Sequence, residues 1–337
     1  MSVLITILIL GVLIIAHELG HLLAAKAVGI KVHEFAIGMG PKIIGYQAKE
    51  TLYSLRAFPI GGFNRMAGME PGDEDDVRGF NTKSVGQRSL VIAAGSLMNF
   101  ILALTLFIIV FMGIGIPSNQ NVVGRVVPGG AAELAGLQAG DRIIAINGEK
   151  TASWDELTAI IHKNPERKIE ITVLRENKKM AFAVTPRLDP KHKVGLIGIE
   201  RAWEKQGFLN SIMLGVKQAV GVSILLVTSL VQMIIGKIPA DVAGPVGMVQ
   251  LVGQAVEFGL ASVLNFAAIL SLNLGLINLF PIPALDGSRL IFLGLEKLRG
   301  QPLQPDKENF IHFVGFFLLI ALMLLITYQD IVRLILK

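Results

Sequence analysis

Polar and apolar positions divide this chain into blocks. Val3–Val28 is an almost unbroken apolar run. A helix over those residues is long enough to cross a hydrocarbon core about 30 Å thick. Ser89–Ile116 is a second run, with no charge in it, and Ala261–Leu285 and Phe310–Tyr328 are two more. Gly29–Arg88 is polar and rich in glycine, with short β-type runs around FAIGMGP (35–41) and FPIGGFNRMAGM (58–69). That pattern predicts a small sheet or hairpins over roughly 35–69. Between 118 and 190 charge returns, and strand-like and helix-like periods alternate as in a soluble domain. Leu209–Lys237 is apolar enough to span, yet Lys217, Gln218, Ser223, Thr228, Ser229 and Gln232 make it partly amphipathic.

The blocks predict an α-helical polytopic membrane protein with four transmembrane spans, an inserted α+β domain and a small membrane-associated β region. Its divisions are an N-terminal membrane half (1–117), the inserted domain (118–190), a linker with an interfacial or re-entrant helix (191–260), and a C-terminal membrane half (261–337). Lys26, Lys31, Lys42, Lys49, Arg56, Arg65, Arg78, Lys83 and Arg88 follow or close the first span, and no basic side chain precedes Val3. Basic loops stay in the cytoplasm, so the amino terminus lies outside and the loop inside. The acidic run Glu70–Asp76 carries little weight in that rule. The inserted domain is then extracytoplasmic. Composition agrees: 52% of residues are hydrophobic and 17% charged, against about 25% charged in soluble chains. The absence of cysteine excludes disulfides, thiolate zinc sites and thiol nucleophiles. The net charge of +5 is met by basic membrane-flanking loops and calls for no nucleic acid.

The chemistry is concentrated in His17-Glu18-Leu19-Gly20-His21, inside the first span. Ionisable groups at that depth are costly and mark function. Positions i and i+4 share a helix face, so both imidazoles reach one Zn²⁺, and Glu18 lies beside them to take a proton from water. The composition of this chain gives a chance expectation of about 0.005 such matches. A catalytic zinc takes three protein ligands and leaves one position open. The downstream apolar runs offer Asp286, in Leu285-Asp286-Gly287, just beyond Pro281 and Pro283. The alternative for Asp286 is a helix N-cap. If Asp286 meets the histidines, the first and third spans run in the same direction, and 209–237 returns to the side it left. His33, His162, His192 and His312 are expected to have no role; His312 opens the last span, where it reaches the interface.

HELGH in the first span, NLFPIPALDG in a later one and a single PDZ-like stretch between them, with its Gly136-Leu137-Gln138-Ala139-Gly140-Asp141 turn, resemble the site-2 protease family, in its bacterial RseP-type form. The resemblance covers nearly the whole chain. It implies an intramembrane zinc metalloprotease with His17, His21 and Asp286 on zinc and Glu18 as catalytic base. It implies a substrate-positioning role for Asn278, with Asn99 a second candidate. The inserted domain becomes a PDZ domain outside a bacterial cytoplasmic membrane, with the active site towards the cytoplasm. Implied substrates are single-pass membrane proteins such as anti-sigma factors and signal-peptide remnants, cut first by a site-1-type protease. Two departures stand out: one PDZ domain where the enterobacterial type has two, and Gly95-Ser96 where many members have Gly-Pro. The competing readings are a membrane PDZ scaffold or pseudoprotease, and a membrane-anchored zincin acting on soluble or misfolded proteins.

Overall fold

The computed structural model describes residues 1–69, 76–190, 192–239 and 242–335. The acidic run at 70–76 lies almost wholly outside them. The chain forms two compact units. One joins Met1–Val110 to Ile212–Lys337, and the other is Phe111–Ser211.

In the first unit, α1 (Ser2–Ala27) is apolar all round, and many of its side chains, such as Leu4, Leu8 and Leu23, are exposed. One buried stripe runs through Thr6, Ile9, Leu13, His17 and His21 at steps of three and four, with Gly20 beside it, and Leu22 and Ala25 are buried at the helix end against the hairpin. The HELGH histidines therefore belong to the face that packs inward. Gly29, in the left-handed region at φ +74°, turns the chain into a hairpin, β1 (Val32–Ala48) and β2 (Thr51–Met66). Both strands bend sharply, so that Glu34–Ile37 is flanked on one side by 62–65 and on the other by 52–55. The segment 61–66 is thereby left as an edge strand.

α2 (Val85–Gly113) runs antiparallel to α1. Val91 lies at the level of His21 and Asn99 at the level of His17, while Leu102 and Leu106 share a cluster with Ile5, Ile9 and Leu13. The second unit follows. It has a four-stranded antiparallel sheet in which 142–146 lies between 149–150 and 169–175, and 178–184 forms the far edge. Ile169, Ile171 and Val173 alternate inward along the central strand. They meet Trp154, Leu157 and Ile161 of α4 (Trp154–His162), which follows the single-turn α3 (Ala131–Leu134). Ser153 caps α4 by accepting from Glu156 N–H at 3.2 Å, and the Glu156 carboxylate takes Ala152 N–H at 2.8 Å.

Back in the first unit come α5 (Phe208–Ile234), α6 (Pro245–Glu257), α7 (Leu260–Leu279), α8 (Asp286–Arg299) and α9 (Pro305–Ile335). α7 ends two residues before Pro281, whose ring cannot continue a helix. Val263 and Ala267 share a cluster with Ile5 and Ile9, and Asp286 reaches His17 beyond the other end. α1 and α7 thus run in the same direction. α9 returns: His312 lies beside Ala284, and the Asp330 carboxylate accepts Gly247 N–H at 2.7 Å. Among the described residues five helices are long and apolar enough to cross a membrane, α1, α2, α5, α7 and α9. α5, where the sequence predicts an interfacial or re-entrant helix, is one continuous helix of 27 residues.

Candidate active site

Three elements bring three ligand atoms together. His17 Nε2 and His21 Nε2 are 3.2 Å apart, and Asp286 Oδ2 is 3.1 Å from the first and 3.2 Å from the second. A tetrahedral zinc with bonds of 2.0–2.1 Å has ligand–ligand edges of about 3.3 Å. The outer ring nitrogens are already engaged. His21 Nδ1–H donates to Val91 O at 2.8 Å, which leaves Nε2 with its lone pair facing the other two atoms. His17 Nδ1 lies 3.3 Å from the Asn99 amide, whose Oδ1 is buried without a partner. The two ends of an amide exchange by a half-turn, and that half-turn gives His17 Nδ1–H its acceptor. Such a bond to the far nitrogen is what fixes the tautomer of a metal-binding histidine. Asp286 Oδ2 is itself buried with no hydrogen-bond partner. Three lone-pair atoms converging this closely repel one another unless a cation lies between them, so the cradle fits a divalent zinc.

The helix-cap alternative for Asp286 is not what is seen. The N-cap of α8 is Leu285, with no side-chain capping bond, and Asp286 is the first helical residue. Gly287 is where the start of α8 abuts the end of α7: a Cβ there would run into the Leu279 and Phe280 carbonyls. Gly95 does the same for the histidines, because its missing Cβ leaves room for both imidazole rings against α2.

Glu18 lies on the cavity side of α1. The Asn64 amide donates to its Oε2 at 2.7 Å and to its backbone carbonyl at 2.8 Å. Asn64 belongs to the edge strand, so the β hairpin reaches the acidic side chain directly. The cavity has a volume of about 690 Å³ and is lined by Glu18, Asn64, Asn278, Asp286, Arg289 and His312 among others. Of the positions singled out in the sequence, His17, Glu18, His21, Asp286 and Asn278 all meet at this cavity. Asn99 does not open onto it. Its side chain is fully buried against His17, and its backbone carbonyl accepts from Ser271 Oγ. His312, expected to reach the interface and to have no role, lines the cavity and accepts Ala284 N–H at 3.1 Å. Asn64 and His312 carry no spacing signal that marks them in the sequence.

In the second unit the Gly136–Asp141 turn is held by Arg175. Its guanidinium meets the Asp141 carboxylate at 2.6 and 2.7 Å and the Gly136 carbonyl at 2.8 Å.

Comparison with known proteins places these observations in one group. The family model described as Peptidase family M50 matches residues 5–322. The regulator of sigma-W protease RasP of Bacillus subtilis is 35% identical, over 97% of each chain. A putative zinc metalloprotease of Clostridium acetobutylicum is 38% identical, over 98% of this chain and 97% of its own. The probable protease eep of Enterococcus faecalis is 32% identical, over 97% and 98%. Among solved structures, the PDZ domain of an SdrC-like protein from Listeria innocua is 25% identical. It covers 26% of this chain and 100% of its own, at a TM-score of 0.23, too low to assign a fold.

Proposed function

Because this chain belongs to peptidase family M50, the site-2 protease family, and is a zinc metalloendopeptidase of the membrane, we propose that it hydrolyses peptide bonds at the level of the bilayer with the cradle described above. His17 Nε2, His21 Nε2 and Asp286 Oδ2 hold the zinc, and their 3.1–3.2 Å triangle is the observation that carries the reading. Zinc bound there supplies a Lewis acid for the scissile carbonyl and lowers the pKa of the attacking water. Glu18 takes the proton of that water as its oxygen adds to the carbonyl carbon. It then delivers the proton to the departing nitrogen as the C–N bond breaks. Asn64 holds the Glu18 carboxylate in place, and Asn278 lines the cavity where a substrate carbonyl would lie.

A transmembrane helix hides its carbonyls in its own hydrogen bonds, so a substrate must be drawn out into an extended form. The edge strand 61–66 offers free backbone groups beside the cavity, and strand addition there presents an extended segment to Glu18. The substrates are single-pass membrane proteins. Anti-sigma factors head that class, on the strength of the sigma-W regulator named in Bacillus subtilis, followed by signal-peptide remnants, with an upstream site-1-type cut. The protein lies in the cytoplasmic membrane, with 118–190 as an extracytoplasmic PDZ domain and the site towards the cytoplasm. Four helices cross. α5 starts beside the outer half of α2, with Gly215 facing Leu104 and Ile108. α6 lies at that same end, with Gly253 beside Ser2. The chain between them therefore leaves and returns on one side, which favours α5 lying across the bundle.

The test is zinc content of the full chain in detergent. Wild type is expected to hold close to one zinc per chain, and His21→Ala and Asp286→Ala far less. Stoichiometric zinc in His21→Ala would overturn the ligand set.

A further inference from the structure

The turn that delivers Asp286 is built on an unfavourable residue. Leu285 N–H donates to Ile282 O at 3.0 Å, closing a four-residue turn with Pro283 and Ala284 at its centre. Ala284 has φ +76°. Proline followed by a residue of positive φ is the type II turn, and its third position ordinarily takes glycine because a Cβ is strained there. Strain of this kind persists only where the surroundings impose it.

α9 supplies those surroundings. His312 Nδ1 accepts Ala284 N–H at 3.1 Å. One helical turn on, Gly315 lies so near Pro283 that an added Cβ would be 2.6 Å from the Pro283 carbonyl carbon. The His312 ring also packs edge-on against Phe292 of α8, with centroids 5.8 Å apart. To accept a hydrogen bond Nδ1 must be unprotonated, so the ring proton sits on Nε2. That atom is buried without a hydrogen-bond partner, 3.8 Å from the nearest Glu308 oxygen. A strained alanine and a half-satisfied imidazole thus stand at one place, two residues from a ligand atom of the cradle. Local costs concentrated in this way mark functional positions.

We propose that His312 is a positioning residue for the third zinc ligand: by accepting Ala284 N–H it holds the 283–284 peptide in the type II orientation that aims Asp286 at His17 and His21. Rotation of that peptide to the type I orientation removes the positive φ and turns the N–H away from the ring. The inference rests on the ligand set given above.

The experiment measures zinc affinity of the full chain in detergent by competition with a chelator. Four variants are compared with wild type: His312→Phe, Ala284→Gly, the two combined, and His17→Ala. Phenylalanine keeps a ring but has no acceptor, and glycine adopts φ +76° without strain. His312→Phe is expected to weaken zinc binding about 10–100-fold, the size of other losses behind a metal ligand. Ala284→Gly alone stays near wild type, and the double variant returns to within about three-fold of it. His312→Phe within about two-fold of wild type overturns the proposal, as does a double variant no tighter than His312→Phe alone. A His312→Phe chain that does not fold must be restored to folding and zinc binding by Ala284→Gly, and failure of that restoration also overturns it. His17→Ala separates the two readings. If it loses zinc while His312→Phe keeps it, only the positioning role falls. If it keeps zinc, the ligand set falls and the positioning role with it.

Discussion

Glu18 is controlled from two directions, by its own helix and by an amide that arrives from the sheet. The Asn64 side chain donates to both the carboxylate and the carbonyl of Glu18, so one residue fixes the rotamer and ties it to the helix backbone. Replacing Asn64 with leucine keeps the volume and removes both donors. A misplacement of about 1 Å costs on the order of 100-fold in rate. Asn64→Leu is therefore expected to lower kcat about 10–100-fold and to leave KM and zinc content near wild type. Steady-state cleavage alongside metal analysis measures both, and an unchanged kcat would contradict the role. Part of this site is legible in the sequence. His17 and His21 are marked by helical spacing, Glu18 by adjacency, and Asp286 by being a carboxylate at the end of an apolar run. Asn64 and His312 are not marked, because their partners lie 46 and 28 residues away. A lone amide in a strand and a lone histidine in an apolar helix have no periodicity to give them away.

At the scale of elements, the membrane helices α1, α2, α7 and α9 follow from unbroken apolar runs, and the helix break after Leu279 from Pro281. The hairpin is legible only as a glycine-punctuated polar stretch. Its doubled pairing, with Glu34–Ile37 between two partners, depends on contacts that local pattern does not encode. α5 is the ambiguous element. Its composition suits a span and also suits a helix lying along the membrane surface, since both bury one apolar face and differ only in what covers the other. The chain has no cysteine of its own, so Gly207→Cys and Lys237→Cys, made singly, report on its two ends. Both are expected to react with an impermeant maleimide in intact cells. Labelling at Gly207 but not at Lys237 would show that α5 crosses, and the direction shared by α1 and α7 would then need another crossing between them.

At the scale of the whole molecule, two compact units divide the work: one holds the cradle and the other, Phe111–Ser211, has its own core. The second unit is readable from the change in period and charge over 118–190; the pairing of the flanking strands at 116–117 and 203–204 with each other is a contact across 86 residues that local pattern does not encode. Burial pushes the Asp141 carboxyl up, but the Arg175 guanidinium and the Gln138 N–H outweigh it and hold it below the usual carboxylate range. A depressed folded value means stability that is present above the ordinary aspartate pKa of about 3.9 and lost as pH falls below it. Arg175→Leu leaves Asp141 buried without its partner and is expected to cost about 3 kcal/mol, or roughly 12–24 °C in Tm for a unit of this size. Both tryptophans, Trp154 and Trp203, lie in this unit, so intrinsic fluorescence of the intact chain follows its unfolding. A Tm within about 2 °C of wild type would contradict the pairing.

The claim that joins these scales is that Glu18 moves the proton in an otherwise intact zinc site. It is tested most directly by Glu18→Gln, assayed on a tagged single-span membrane protein in membranes, with zinc measured on the same preparation. Glutamine keeps the shape and the contact with Asn64 but cannot accept the proton. The account predicts zinc at the wild-type level with cleavage reduced about 10²–10⁴-fold. Cleavage within a few-fold of wild type in a zinc-loaded Glu18→Gln chain would contradict it.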